Sequence, residues 1–228
     1  GIGGTPAVDI PGWASDTAVE DSGVEDGYEP TDGSWIAFMM GGDPAVWQLT
    51  DHVLGSGETI ILKVDARVTW QADTLTMTLY YNDGGTRVVA ATEDVSITEA
   101  WQEFELSFAA DDVPAAIGKQ IGVLFANPTS NWLGIDHVRL EVVYVSPVNP
   151  EDGRKYVDWD EDLEWTVANG WDIDLYWGPE DDPNLSSKPE YKRLVDSSAT
   201  TWDPGTMDPK KSYFWRVDAH EPNLVDPY

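Results

Sequence analysis

Asp51-His52 and Asp136-His137 each set a carboxylate beside an imidazole, two of the three groups of a proton relay, and His220 is the remaining histidine. In a relay the carboxylate must hydrogen-bond the ring that serves the nucleophile. Neighbouring side chains of an extended chain point to opposite faces, so neither dyad closes on itself. The histidines contain no His-x-x-x-His pair of a zinc hydrolase, and no Gly-x-Ser-x-Gly elbow occurs. Thiol catalysis and thiolate zinc need cysteine, of which there is none. Glycoside hydrolysis requires only two placed carboxylates, and among 42 acidic residues such pairs discriminate nothing. No catalytic residue is assigned, and the chain reads as a non-enzyme.

Binding chemistry has more to work with. The sequence holds 12 tryptophans, and a flat indole stacks on a pyranose ring while neutral polar neighbours bond its hydroxyls. Core positions absorb most of them. Trp70 and Trp101 fall on or beside inward strand faces, Trp165 and Trp215 belong to a second core, and Trp13, after a Pro-Gly turn, is expected to close a sandwich end. Trp47, Tyr80 and Trp132 are left as glycan-binding or interface aromatics. Trp132 sits in the polar stretch "PTSNWLG", and Tyr80 shares an outward face with Thr74, Thr76 and Thr78. At each of the three, packing competes with a sugar platform.

The elements that must position them are strands. In "ETIILKVDARVTW", Ile60, Leu62, Val64, Ala66, Val68 and Trp70 fall on one face and Lys63, Asp65, Arg67 and Thr69 on the other. "TLTMTLYYN" repeats the pattern with Leu75, Met77, Leu79 and Tyr81 inward, and Asn82-Asp83-Gly84-Gly85 turns it back into "TRVVAATEDV". Strands are also expected at "SWIAFMM", "AVWQLT", Trp101 to Phe108, Gln120 to Ala126 and His137 to Val145. Such a series of antiparallel strands predicts a jelly-roll β-sandwich over residues 1–146. "SPVNPEDGRK", residues 146–155, interrupts the alternation. Shorter strands follow at "LEWTV", "WDIDLYWG", "YKRLVD", "TTWD" and "SYFWRVDA", which predict a second, smaller sandwich over 147–228. The fold class is all-β, two β-sandwiches in tandem.

In the second segment, Met207, Pro209, Tyr213 and Val217 of "MDPKKSYFWRV", with Trp165 of "LEWTV", are spaced as in the corner and core of fibronectin type III-like domains. The segment resembles that family, which implies a tyrosine hydroxyl satisfying a backbone group upstream. The family's last strand has no counterpart before the sequence stops after "HEPNLVDPY". In the first segment "IPGW" (10–13), "DSGVE" (21–25) and "GIDHVRLEV" (134–142) resemble the galactose-binding-like jelly-roll modules of large secreted bacterial proteins. That resemblance implies glycan binding and a structural calcium held by Asp136 with Glu20, Asp21 or Glu25. "DWDEDLEW" (158–165) lacks the glycine and terminal glutamate of an EF-hand loop.

A net charge of -29 repels phosphate backbones and anionic headgroups, and no apolar run approaches the ~20 residues of a membrane helix. Nucleic acid and direct membrane insertion are thus poor partners. The expected setting is extracellular or cell-surface. The leading expectation for function is a structural or adhesive building block of a surface layer, filament or large secreted protein, self-associating or joining other surface proteins by β-strand complementation. The alternative is a module that binds a polysaccharide, with an accessory fibronectin-like domain.

Overall fold

The computed structural model describes residues 10–16, 21–150, 157–158, 160–168, 171–179, 191–194 and 199–220. The protein is all-β and divides into two compact units, residues 1–54 with 59–142, and residues 55–58 with 143–228.

The first unit is a jelly-roll sandwich. Its strands are β1 (Ala14–Ser15), β2 (Gly23–Glu25), β3 (Ile36–Met40), β4 (Val46–Val53), β5 (Thr59–Trp70), β6 (Thr74–Asp83), β7 (Thr86–Ser96), β8 (Gln102–Ala109), β9 (Gln120–Ala126) and β10 (Trp132–Val143). They form two five-stranded sheets, β1-β4-β9-β6-β7 and β2-β3-β10-β5-β8. The alternation in the sequence decides which side chains lie between them. Ile60, Leu62, Val64 and Ala66 of β5 and Leu75, Met77 and Leu79 of β6 are fully enclosed, facing Ile121 and Phe125 of β9 and Leu133 of β10. At the turn between β6 and β7, Asn82 Oδ1 accepts from Gly85 N at 2.8 Å, and Gly84 and Gly85 both take positive φ, +61° and +95°. That conformation matches the twist of a two-residue hairpin and favours glycine.

Two positions depart from simple alternation. Trp70, expected inward as the last residue of the β5 pattern, is 51% exposed: burial is complete at Ala66 and partial at Val68, so the alternation carries Trp70 past the rim of the core. In β10 the inward residues are Leu133 and Ile135, then Val138, Leu140 and Val142, so the phase slips by one at Asp136-His137, where His137 takes φ +48°. β10 also begins at Trp132, five residues before the expected strand.

The second unit packs two three-stranded sheets, β11-β12-β15 and β14-β13-β16, from β11 (Val145–Asn149), β12 (Leu163–Val167), β13 (Asp172–Pro179), β14 (Tyr191–Leu194), β15 (Thr201–Trp202) and β16 (Tyr213–His220). β11 occupies part of the stretch read as a linker, because Pro147 sits opposite Trp165 on an edge strand where a missing N–H can face away from the ladder. Leu163, Trp165, Ile173, Leu175, Trp177 and Val217 make its core. Trp165 is 2% exposed and its Nε1 donates to Ala199 O at 3.0 Å. The hydroxyl of Tyr213 accepts from Asp208 N at 2.8 Å, the upstream backbone bond expected of this corner. Residues 221–228, where a last strand would fall, lie outside the described residues.

Candidate functional site

The outer face of sheet β1-β4-β9-β6-β7 collects the side chains that the core rejects. Register fixes two rows across it. One runs Val89, Tyr80, Gly122, Leu49 over β7, β6, β9 and β4, and the next runs Thr92, Thr78, Leu124, Trp47. Two of the expected aromatics therefore share one face, a row apart.

Tyr80 does not stand out from this face but lies along it. A Cβ at Gly122 would come within 2.2 Å of Tyr80 Cζ and 2.4 Å of its hydroxyl oxygen, so the ring crosses β9 only because residue 122 has no side chain. The tyrosine is 2% exposed, and its hydroxyl is buried without a hydrogen-bond partner among the described residues. Burial pushes the phenol pKa up; Arg87 opposes that shift and Asp16 adds to it. On the same face the Arg87 guanidinium rests 4.6 Å from the Trp47 ring centroid and is hydrogen-bonded to the Asp16 carboxylate. That bond to Arg87 holds the Asp16 carboxyl below the usual carboxylate range, against its partial desolvation. The neighbouring hydroxyls form a neutral ladder, with Thr78 Oγ1 and Thr92 Oγ1 3.0 Å apart and Thr92 Oγ1 donating to Met77 O at 3.1 Å. At the far end, Thr76 Oγ1 donates to Asp94 Oδ1 at 2.6 Å.

Trp132 is elsewhere. It opens β10 in the other sheet, opposite Met40 of β3. Its ring stacks on Trp70 at 4.9 Å and 24°, and its Nε1 donates to Asp21 O at 3.3 Å. Trp13 packs on the core, with its ring 5.5 Å from that of Phe125.

The residues expected to hold calcium take other roles. Asp136 Oδ2 accepts from Thr31 N, Thr31 Oγ1 and Asp32 N at 2.7, 3.1 and 2.9 Å, and Oδ1 accepts from His137 N, so this carboxylate clamps the loop before β3. Asp21 N donates to the Asp43 carboxylate. Glu25 lies on β2 with its carboxyl pushed up by burial, and Glu20 lies outside the described residues. Among the described residues no three histidine, aspartate or glutamate side chains converge on a point that could hold a metal. Asp136, Asp21 and Glu25 are not gathered into one ligand set among the described residues, and no role is built on calcium. His137 Nδ1 lies 3.6 Å from Asp65 Oδ2 and also contacts the Arg139 guanidinium.

Arg87, Asp16, Gly122 and Trp70 are the residues that sequence reasoning missed. The signal for Gly122 was present: a glycine inside the apolar strand "QIGVLFA" marks a close approach by another group.

No protein-family model matches the chain, and no curated protein matches it. Similar solved structures include a cyclase from Fischerella sp. TAU in complex with 4-(1H-indol-3-yl)butan-2-one, 18% identical over 58% of this chain and 85% of that one, with a TM-score of 0.47. A CBM4 structure is 17% identical over 63% of this chain and 97% of that one, with a TM-score of 0.45. The CBM22-1 xylan-binding domain of Paenibacillus barcinonensis Xyn10C is 12% identical over 60% and 92%, with a TM-score of 0.44. At this distance no ligand or activity passes from them to this chain.

Proposed function

We propose that the chain is a non-catalytic carbohydrate-binding module whose outer β1-β4-β9-β6-β7 face takes a neutral polysaccharide outside the cell. The observation that carries this reading is the Tyr80 hydroxyl, buried against Gly122 on the face that carries Trp47 and Arg87, with no partner among the described residues. Such a group costs about 1–3 kcal/mol of stability, a cost that a ligand hydroxyl would remove. In this reading a pyranose replaces Arg87 on the Trp47 indole. The displaced guanidinium and the uncovered tyrosine hydroxyl then bond the sugar's hydroxyls, beside the threonine ladder. A neutral polymer suits a chain of net charge -29, which repels an anionic one. The second unit serves as a fibronectin type III-like spacer, supported by its sheet order and by the Tyr213 corner.

A structural or adhesive role has less behind it. It turns on tail strands, and residues 1–9 and 221–228 lie outside the described residues.

Affinity electrophoresis through gels containing xylan, β-glucan, mannan or galactan tests the proposal. The intact chain should be retarded by at least one of them, and Trp47→Ala should migrate freely in the same gel. Unretarded migration of the intact chain in all four would overturn it.

A further inference from the structure

The structure separates Trp132 from Trp47 and Tyr80, and what surrounds it makes a second surface of similar chemistry. Trp132 and Trp70 stack at 4.9 Å, and Trp70 is 51% exposed, so the pair presents one indole to solvent and uses the other as backing. The backing is fixed from two sides, since Trp132 Nε1 donates to Asp21 O and its backbone continues into β10. Immediately beside the rings stand Gln71 and Asn131, whose side-chain amides approach at 3.4 Å from Asn131 Nδ2 to Gln71 Oε1. Both residues hold positive φ, +56° and +69°, and an isolated bridge joins Gln71 to Trp132. Left-handed backbone at two non-glycine residues is uncommon and costly, and it collects at sites where a side chain must be aimed.

The loop that carries Asn131 is braced as well. Asn127 Nδ2 donates to Met39 O and Asn131 O, both at 3.0 Å, and Gly41 N donates to Asn131 O. A Cβ at Gly41 would lie 1.9 Å from Thr129 O, so the loop closes against β3 only over a glycine.

An exposed indole flanked by neutral amides matches one ligand chemistry. The ring takes the apolar face of a pyranose, and the amides supply a donor and an acceptor to its equatorial hydroxyls. The groups bonded to the pair and its amides are themselves uncharged: Ser130 Oγ and the backbone oxygen of Asp21. We infer that Trp70, Trp132, Gln71 and Asn131 form a second binding site for a neutral sugar, on the sheet opposite the proposed face and independent of it.

The test is a titration of the 15N-labelled chain with cellohexaose, xylohexaose and mannohexaose, followed through the indole N–H signals. Trp70→Ala, Trp70→Phe and Trp47→Ala identify the signals and separate the sites. A sugar that binds here should shift the Trp70 and Trp132 signals in the intact chain and in Trp47→Ala. In Trp70→Ala the affinity read from the Trp132 signal should fall at least about tenfold, in Trp70→Phe it should fall less, and the Trp47 signal should respond as before. Shifts of the Trp70 and Trp132 signals that vanish in Trp47→Ala, or a Trp132 shift that survives Trp70→Ala at unchanged affinity, would overturn the second site and leave the first. No response of any indole to any of the three sugars would overturn this site, whatever the polysaccharide gels show for the first.

Discussion

The two sheets of the jelly roll share one strand grammar and use their outer faces in opposite ways. Across β10, β5 and β8, the outward residues are ion-paired. Lys63 Nζ bonds Glu141 Oε2 at 3.0 Å and lies 4.0 Å from Glu105, while Arg139 pairs with Glu103. The bond to Glu141 pushes the Lys63 ammonium pKa up. Pairs this exposed contribute little to stability, and they describe a solvated surface. Across β4, β9 and β6 the same alternation delivers Trp47, Leu124, Thr78 and Tyr80, with one cation, Arg87, lying on an indole instead of in water. A face built only for solvation has no need to bury a tyrosine hydroxyl without a partner. The contrast makes the β1-β4-β9-β6-β7 face the first to test for a ligand.

The comparison predicts its largest effect in binding. Trp47→Ala should lower affinity for a retained polysaccharide on the order of 30-fold, about 2 kcal/mol, whereas Lys63→Met on the other face should leave it unchanged. Isothermal titration of the two variants side by side checks this. Equal losses would mean that the faces are not functionally distinct.

A matched pair of glycines sharpens the same contrast in stability. At Gly122 a new Cβ meets the ring of the enclosed Tyr80 at 2.2 Å, and Gly122→Ala should cost about 1–3 kcal/mol by overpacking. At Gly134 a new Cβ meets the methyl ends Ile36 Cδ1 at 2.9 Å and Thr69 Cγ2 at 3.1 Å, which can shift. Gly134→Ala should therefore cost less, as read from urea midpoints at constant slope.

Much of this was legible in the sequence, for a definite reason. Where a face is buried, period two is enforced by every residue: Leu75, Met77, Leu79 and Tyr81 had to point inward, so Thr76, Thr78 and Tyr80 had to point out. Pairing across strands is not encoded in period two. That Tyr80 would lie opposite Gly122, or that Arg87 would span to Trp47, depends on which strands become neighbours and in what register. Trp70 shows the other limit, since alternation names a face and cannot say where the facing sheet ends. At Asp136-His137 the slip in β10 broke the pattern without a glycine or proline to announce it.

Smaller effects follow from titration. Burial raises the Tyr80 phenol above its usual 10.0, so the folded state keeps that proton longer than the unfolded chain does. Stability should fall as pH rises above the unfolded value toward the higher folded one. In Tyr80→Phe that part of the alkaline slope should be missing from urea midpoints measured between about pH 9 and 12. Asp16 has the opposite sign: its pKa is lowered by Arg87, so its pairing is fully present above the usual 3.8 and is lost as pH falls through the lower folded value. The Trp47 indole N–H signal should move over that acidic range as Arg87 is released, and should not do so in Asp16→Asn.

Tyr80→Phe, measured for stability and for affinity on the same preparation, tests the central claim most directly. If the hydroxyl is kept for a ligand, its removal raises the stability read from the urea midpoint by about 1–3 kcal/mol, while affinity for the retained polysaccharide drops several-fold. Unchanged affinity, or stability and affinity falling together, would contradict the account and make Tyr80 a packing residue of an ordinary surface.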